Sequence, residues 1–131
     1  MTYGTLAIDT IQSSTTGTPT QFQDGSGTQI GTLCRAWVNY KGTSTQSIRA
    51  SFNVSSVTYN STGNYTINFT NAMIDVNYSA VGMTQGGSIS SNSSARSLNP
   101  ISLLTTSVQV VNTAGTGSAE DSPIVGVAIF R

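Results

Sequence analysis

The chain has no histidine, and only ten of its 131 residues are charged at neutral pH, five of each sign. Active sites are usually assembled from titratable groups, so proton-transfer catalysis is short of its usual parts. Glutamate and lysine occur once each, as Glu120 and Lys41. Ordinary soluble domains carry roughly 25% charged residues, against 8% in this chain. Arg35, Lys41, Arg49, Arg96 and Arg131 are scattered, so the clustered cations that neutralise nucleic-acid phosphates are missing. No apolar run approaches the length of a membrane-spanning helix. The opening Met1-Thr2-Tyr3-Gly4 lacks the basic flank and apolar stretch of a signal peptide. Cys34 is the single cysteine, so no intramolecular disulfide can form. In an apolar segment with no histidine to activate it, Cys34 reads as a small hydrophobe rather than a nucleophile.

What is present is small and polar: 20 Ser, 20 Thr, 10 Asn, 7 Gln and 13 Gly make up more than half the chain. The apolar set is tilted to strand formers, with 10 Val and 10 Ile against 5 Leu. Branched and aromatic side chains suit a pleated surface and lose rotamer freedom in a helix. No segment sustains a 3.6-residue period. Several alternating runs argue against the disorder that so much Ser, Thr and Gly would otherwise imply.

Residues 3–11 place Leu6 and Ile8 opposite Asp9, a strand-like alternation. Residues 12–31 are polar and Gly-rich, with Phe22 and Ile30 as their large apolar anchors. The division expected is an N-terminal attachment arm over residues 1–30 and a body over 31–131. In the body, Cys34, Ala36, Val38 and Tyr40 alternate with Arg35 and Trp37, which reads as a central strand covered on both faces. Ile48, Ala50, Phe52 and Val54 alternate with polar residues as a half-buried strand. Residues 57–59 and 65–69 flank a five-residue loop containing Gly63, the clearest hairpin in the chain. A strand is expected over 77–83, a long exposed loop over 85–99, a strand over 103–111, a polar loop over 114–122 and a closing strand over 124–131. Seven or eight short strands predict an all-β fold, an antiparallel β-sandwich or jelly-roll-like barrel.

The run Gly31-Thr32-Leu33-Cys34-Arg35-Ala36-Trp37-Val38-Asn39-Tyr40-Lys41-Gly42-Thr43, with residues 48–57, resembles a module of tailed-bacteriophage tail-fibre proteins. Residues 63–73, Asn77 and Tyr78 continue the likeness, which covers about residues 28–83 and more loosely 125–131. It is similar to fibres and other virion proteins of marine cyanophages. It implies a virion appendage that assembles as a trimer, although this chain shows no shaft and no coiled-coil heptads.

Trp37, Tyr40 and Phe52 are expected in the core or at a subunit interface, which for Trp37 is favoured over a sugar-stacking platform. Tyr59, Tyr65 and Tyr78 are expected to line the core with their hydroxyls at the rim. Leu6, Ile8 and Ile11 are the candidates for attaching the arm to a carrier by strand addition. The loops supply the candidate recognition residues Ser88, Ser90, Asn92, Arg96, Glu120 and Asp121, because binding residues collect on loops over a rigid scaffold. Asp75, Glu120 and Asp121 are too few and too solvated to favour sugar cleavage or a Ca²⁺ site. The six Asn-x-Ser/Thr sequons are read as chance in an Asn/Thr-rich chain. The expectation is a virion protein with no catalytic, cofactor or metal residues. Its partners would be copies of itself, other virion proteins and host surface polysaccharide, without nucleic acid or membrane insertion. A capsid decoration protein is the alternative, and a polysaccharide depolymerase a weaker one.

Overall fold

The computed structural model describes residues 7, 8, 10–12, 14, 20–43, 45–86 and 96–131. The chain divides into two compact units, Met1–Leu33 and Cys34–Arg131.

In the first unit, strands β1 (Gln21–Gln23) and β2 (Gln29–Thr32) form an antiparallel hairpin. Asp24 makes the turn. Its Oδ1 accepts from the backbone N–H of Ser26 and of Thr28, both at 2.9 Å, and from the Ser26 hydroxyl at 2.6 Å. These donors, led by the Ser26 hydroxyl, hold the Asp24 carboxyl below the usual range. Gly27 takes the positive φ of 85° that closes the turn. Part of the expected extended arm is therefore a self-paired hairpin, specified by an Asp-Gly-Ser-Gly turn between two short polar strands. Ile8 and Ile11 are exposed and outside any strand, and Leu6 lies outside the described residues.

The second unit is a sandwich of two four-stranded antiparallel sheets. One has the order β4-β3-β10-β7, built from β3 (Cys34–Lys41), β4 (Ser47–Phe52), β7 (Ser79–Gln85) and β10 (Ile124–Phe130). The other has the order β5-β6-β9-β8, built from β5 (Val54–Ser61), β6 (Asn64–Phe69), β8 (Arg96–Leu103) and β9 (Ser107–Ala114). Ala36, Val38, Tyr40, Val125, Val127 and Ile129 of the first sheet meet Tyr65, Ile67, Phe69, Val108 and Val110 of the second in the core. Period-two alternation produces this directly, since every second residue of β3, β6, β9 and β10 points inward.

The chain changes sheets at tight corners. Between β4 and β5 the corner is Asn53, at φ 55°. Its Nδ2 donates to Arg35 O and Asn71 O, both at 3.1 Å, and its Oδ1 accepts from the Asn71 N–H at 2.7 Å. One amide thus ties three segments together. The predicted single strand through residues 48–54 is broken here, because asparagine tolerates the left-handed conformation that turns the chain.

Two other expectations are revised. The strand predicted over 103–111 is split by a turn at Leu104, where Leu104 N–H donates to Ser107 O at 2.9 Å. The loop predicted over 85–99 loses both ends to β7 and β8. A register shift between Pro100 and Ser102 lets a proline sit within β8, an edge strand. The hairpin at Gly63 is present with a tighter loop, Thr62-Gly63, Gly63 taking φ 69°.

Candidate functional site

The two outer faces of the sandwich differ in kind. On the β5-β6-β9-β8 sheet the outward residues are mostly amides and hydroxyls bonded to one another, with Val111 among them. Asn68 Nδ2 donates to Ser56 Oγ at 2.9 Å and Thr58 Oγ1 at 3.1 Å. Asn60 Nδ2 donates to Thr66 Oγ1 at 2.9 Å and Asn64 Oδ1 at 3.0 Å, and Gln109 Nε2 reaches the same Asn64 oxygen at 2.8 Å. Such a face is at home in water.

The outer face of the β4-β3-β10-β7 sheet is apolar. The strand register lays it out in rows: Phe52, Trp37, Ala128 and Val81 lie side by side, followed by Ala50, Asn39, Gly126 and Met83. Phe52 is 55% exposed, Val81 51%, Met83 72% and Trp37 39%. Between Trp37 on β3 and Val81 and Met83 on β7, the small residues Gly126 and Ala128 form the floor of an open trough of about 480 Å³. Gly126 has a neighbour's side chain where a Cβ would point, Met83 Cγ lying 3.4 Å away. Cations border these rows: Arg49, which bonds Asn39 Oδ1 at 3.3 Å and Pro123 O at 2.7 Å, and Lys41, next after Asn39 in the outward phase of β3. Contiguous apolar surface of this kind marks a place where something else packs.

The strand β4, expected to be half-buried, is exposed along its length. It is an edge strand whose apolar residues, Ala50 and Phe52, lie on the outer surface. The both-sides cover expected for β3 is likewise present on one side: Tyr40 is fully buried, whereas Trp37 and Phe52 stand on the outer face.

At one end of the sandwich the residues expected in recognition loops do structural work. Asp121 Oδ1 accepts from the Tyr65 hydroxyl at 2.6 Å and from the Gly63 N–H at 2.7 Å. Asn112, fully buried, donates from Nδ2 to Ser122 Oγ at 2.7 Å and to Glu120 O. Arg96 is the first residue of β8 rather than part of a loop, and its nearly buried side chain pairs with the half-exposed Glu120 carboxylate. Glu120 and Asp121 are therefore not a solvated acidic pair; each holds a different part of the chain. Ser88, Ser90 and Asn92 lie outside the described residues.

Burial, reinforced by Asp121, pushes the Tyr65 hydroxyl well above its usual range, and burial does the same for Tyr40. Tyr78 is also raised by burial; its hydroxyl lies 3.0 Å from both Leu104 O and Ser107 O. Tyr59 is the tyrosine of the three with substantial exposure, its ring edge-on to Tyr65 at 5.8 Å. Asp75 is held by Arg131 across two short bonds, 2.9 Å to Oδ1 and 2.6 Å to Oδ2, which lowers its carboxyl to about 2. No group of three or more potential metal-ligating side chains occurs among the described residues.

No protein-family model, curated protein or solved structure matches the chain.

The apolar sheet face was within reach of the sequence but was not read from it. Its signal was the outward phase of β10, Gly126 and Ala128, beside bulky outward residues on strands far away in sequence.

Proposed function

We propose that this chain is a structural protein of a tailed-phage particle, tail-fibre-like, which assembles with copies of itself and binds host surface glycan without catalysis. The observation that carries the reading is a charge-poor sandwich with one solvated outer sheet face and one apolar one. A lone solvated domain gains nothing from exposed Phe52, Trp37, Val81 and Met83; an assembling one does. The residues before the body, with Ile8 and Ile11 exposed, would attach it to the particle. The amide- and hydroxyl-covered surface offers the adaptable hydrogen bonding that sugar hydroxyls require, and repeated weak sites would add through multivalency. The resemblance implies three copies.

Locating the protein on purified virions with a labelled antibody tests the reading. Tail labelling in tens of copies or fewer supports it. Copies in icosahedral multiples on the head would favour capsid decoration instead, and absence from the particle would overturn both. Incubation with host polysaccharide should give retention without new reducing ends.

A further inference from the structure

We propose that the trough on the outer face of the β4-β3-β10-β7 sheet binds an anionic single-chain amphiphile, a fatty carboxylate, with its chain along the Gly126–Ala128 floor and its acid group at the Arg49 guanidinium. The site goes beyond the virion reading above and does not depend on it.

The chain-binding part follows from what lines the trough. Its walls are Trp37 on one side and Val81 and Met83 on the other, and its floor is Gly126 and Ala128. The polar side chain in the lining is Asn39, whose Oδ1 already accepts from Arg49. The floor strand β10 is paired on both sides, to β3 and to β7, so its backbone groups are taken up in the ladders. A sugar ring or a peptide laid there would exchange water for a surface that leaves its hydroxyls or amides unpaired. A hydrocarbon chain has no such groups and gains from the burial of each methylene. Outward residues of one strand recur about every 6.8 Å, so the floor is a straight channel along β10. Its volume of about 480 Å³ lies within the range of small-molecule sites, about 300–1,000 Å³.

The acid-binding part follows from Arg49. Rising from the edge strand β4, it crosses β3 and donates from Nη1 to Asn39 Oδ1 at 3.3 Å and from Nη2 to Pro123 O at 2.7 Å. One of those acceptors lines the trough and the other directly precedes β10, so the guanidinium is fixed at the Asn39–Gly126 end. Two of its five N–H donors are engaged, both by neutral acceptors, and the other three lie in the same plane. That planar fork matches a carboxylate. Lys41 follows Asn39 in the outward phase of β3, and Arg35 precedes Trp37 in it. Among the described residues the two ion pairs are Arg96–Glu120 and Arg131–Asp75, so no carboxylate neutralises Arg49, Lys41 or Arg35. A chain of zero net charge thus gathers unneutralised cations around its apolar trough. They favour an anionic guest over a neutral or cationic one of the same length, and they oppose a second copy, which would bring the same cations. Ala50 and Phe52, on the β4 side of Trp37, lie outside the trough, and a bound chain leaves them uncovered.

The test titrates the full chain at mildly alkaline pH with octanoate, decanoate and dodecanoate below their micelle concentrations. Calorimetry and the emission of the sole tryptophan, Trp37, follow the binding. One dodecanoate per chain should bind with a dissociation constant below about 1 mM, and Trp37 emission should move to shorter wavelength. Each added pair of methylenes should tighten binding about four- to fifteenfold. Dodecyltrimethylammonium and dodecyl maltoside should bind at least tenfold more weakly than dodecanoate. Arg49→Gln should weaken dodecanoate at least tenfold and leave the maltoside as it was. Ala128→Leu, which raises the floor, should weaken both, and Thr58→Lys on the opposite sheet should alter neither. The series in chain length and head charge is read on the unaltered chain, so it decides the matter even where a variant folds poorly. Absence of saturation by dodecanoate, affinity indifferent to chain length, or equal binding of the cationic amphiphile overturns the proposal. Binding to phosphatidylglycerol vesicles without binding of the monomeric carboxylate overturns it too, since the face would then be a membrane-docking surface.

Discussion

Two tyrosines in the same core should respond to the same substitution with opposite sign. Tyr40 and Tyr65 pack edge to face, ring centroids 5.3 Å apart, and both are fully buried. The Tyr65 hydroxyl has one proton and two acceptors in range, Asp121 Oδ1 at 2.6 Å and Gly42 O at 3.0 Å; the shorter, charged partner takes it. The Tyr40 hydroxyl is buried with no hydrogen-bond partner among the described residues. Tyr65→Phe removes a hydrogen bond to a charged group, a loss of about 1.5–3 kcal/mol. Asp121 keeps the Gly63 N–H, so the carboxylate is not stranded. Tyr40→Phe removes a hydroxyl whose burial already costs about 1–3 kcal/mol. It should be neutral or stabilising, and the two variants should differ by about 2 kcal/mol or more. Equilibrium urea unfolding of both variants beside the parent measures this, and thermal midpoints should separate by about 10 °C. Buried phenols favoured in the neutral form also fix the sign of the alkaline limb. Tyr40 and Tyr65 are raised above 10 in the fold, so their contribution is complete below pH 10.0 and is lost as pH rises beyond it. Tyr65→Phe should flatten that loss. Equal destabilisation by the two substitutions would refute the assignment of Tyr65 as the latch.

Asn53→Ala should destabilise the body by about 2–4 kcal/mol, since it removes three bonds and leaves a Cβ residue in the left-handed region. Asn53→Gly, which relieves the backbone but not the lost amide, should recover part of that in denaturant titrations. Asp75 is depressed to about 2 from 3.8 by its bonds to Arg131, so the contribution of this ion pair is present above pH 3.8 and fades as pH falls toward 2. Asp75→Asn should therefore make unfolding less steeply dependent on pH across that interval, measured by circular dichroism at fixed denaturant.

The sheet strands were legible wherever alternation was strict. β3, β6 and β10 carry branched and aromatic residues at every second place, and each lies within a residue or two of where the pattern puts it. What the pattern hid was local chemistry at polar positions. Asn53 looked like one more outward residue of a strand, although its amide and its tolerance of positive φ make it the corner between sheets. Arg96 looked like loop because Ser97, Asn99 and Pro100 around it are poor strand formers, yet pairing to β9 overrides propensity. Asp121 looked solvated because its partners, Tyr65 and Gly63, are more than fifty residues away. The apolar outer face was hidden for the same reason: its rows cross four strands, and only the strand order brings Phe52, Trp37, Val81 and Met83 together.

The scarcity of charge then explains how the body is held. With two ion pairs among the described residues, long-range electrostatics has little to fix. Corners and strand ends are fixed instead by neutral amides and hydroxyls, Asn53 at one sheet crossing and Asn112 with Ser122 at the other end. Neutral hydrogen bonds are short-ranged and directional, and they hardly weaken when salt screens charges beyond about 10 Å. The same economy leaves few ionised groups on the sheet faces: Lys41 stands in the outward phase of β3 with Trp37 and Asn39, and Arg49 on β4 bonds Asn39 Oδ1 and Pro123 O. What varies most across the first sheet is then shape, the sequence of large and small side chains along each row. On this sandwich that sequence reads Phe52, Trp37, Ala128, Val81 in one direction. That order puts the smallest residues on a central strand, so bulk stands on either side of an open trough rather than over the middle of the sheet.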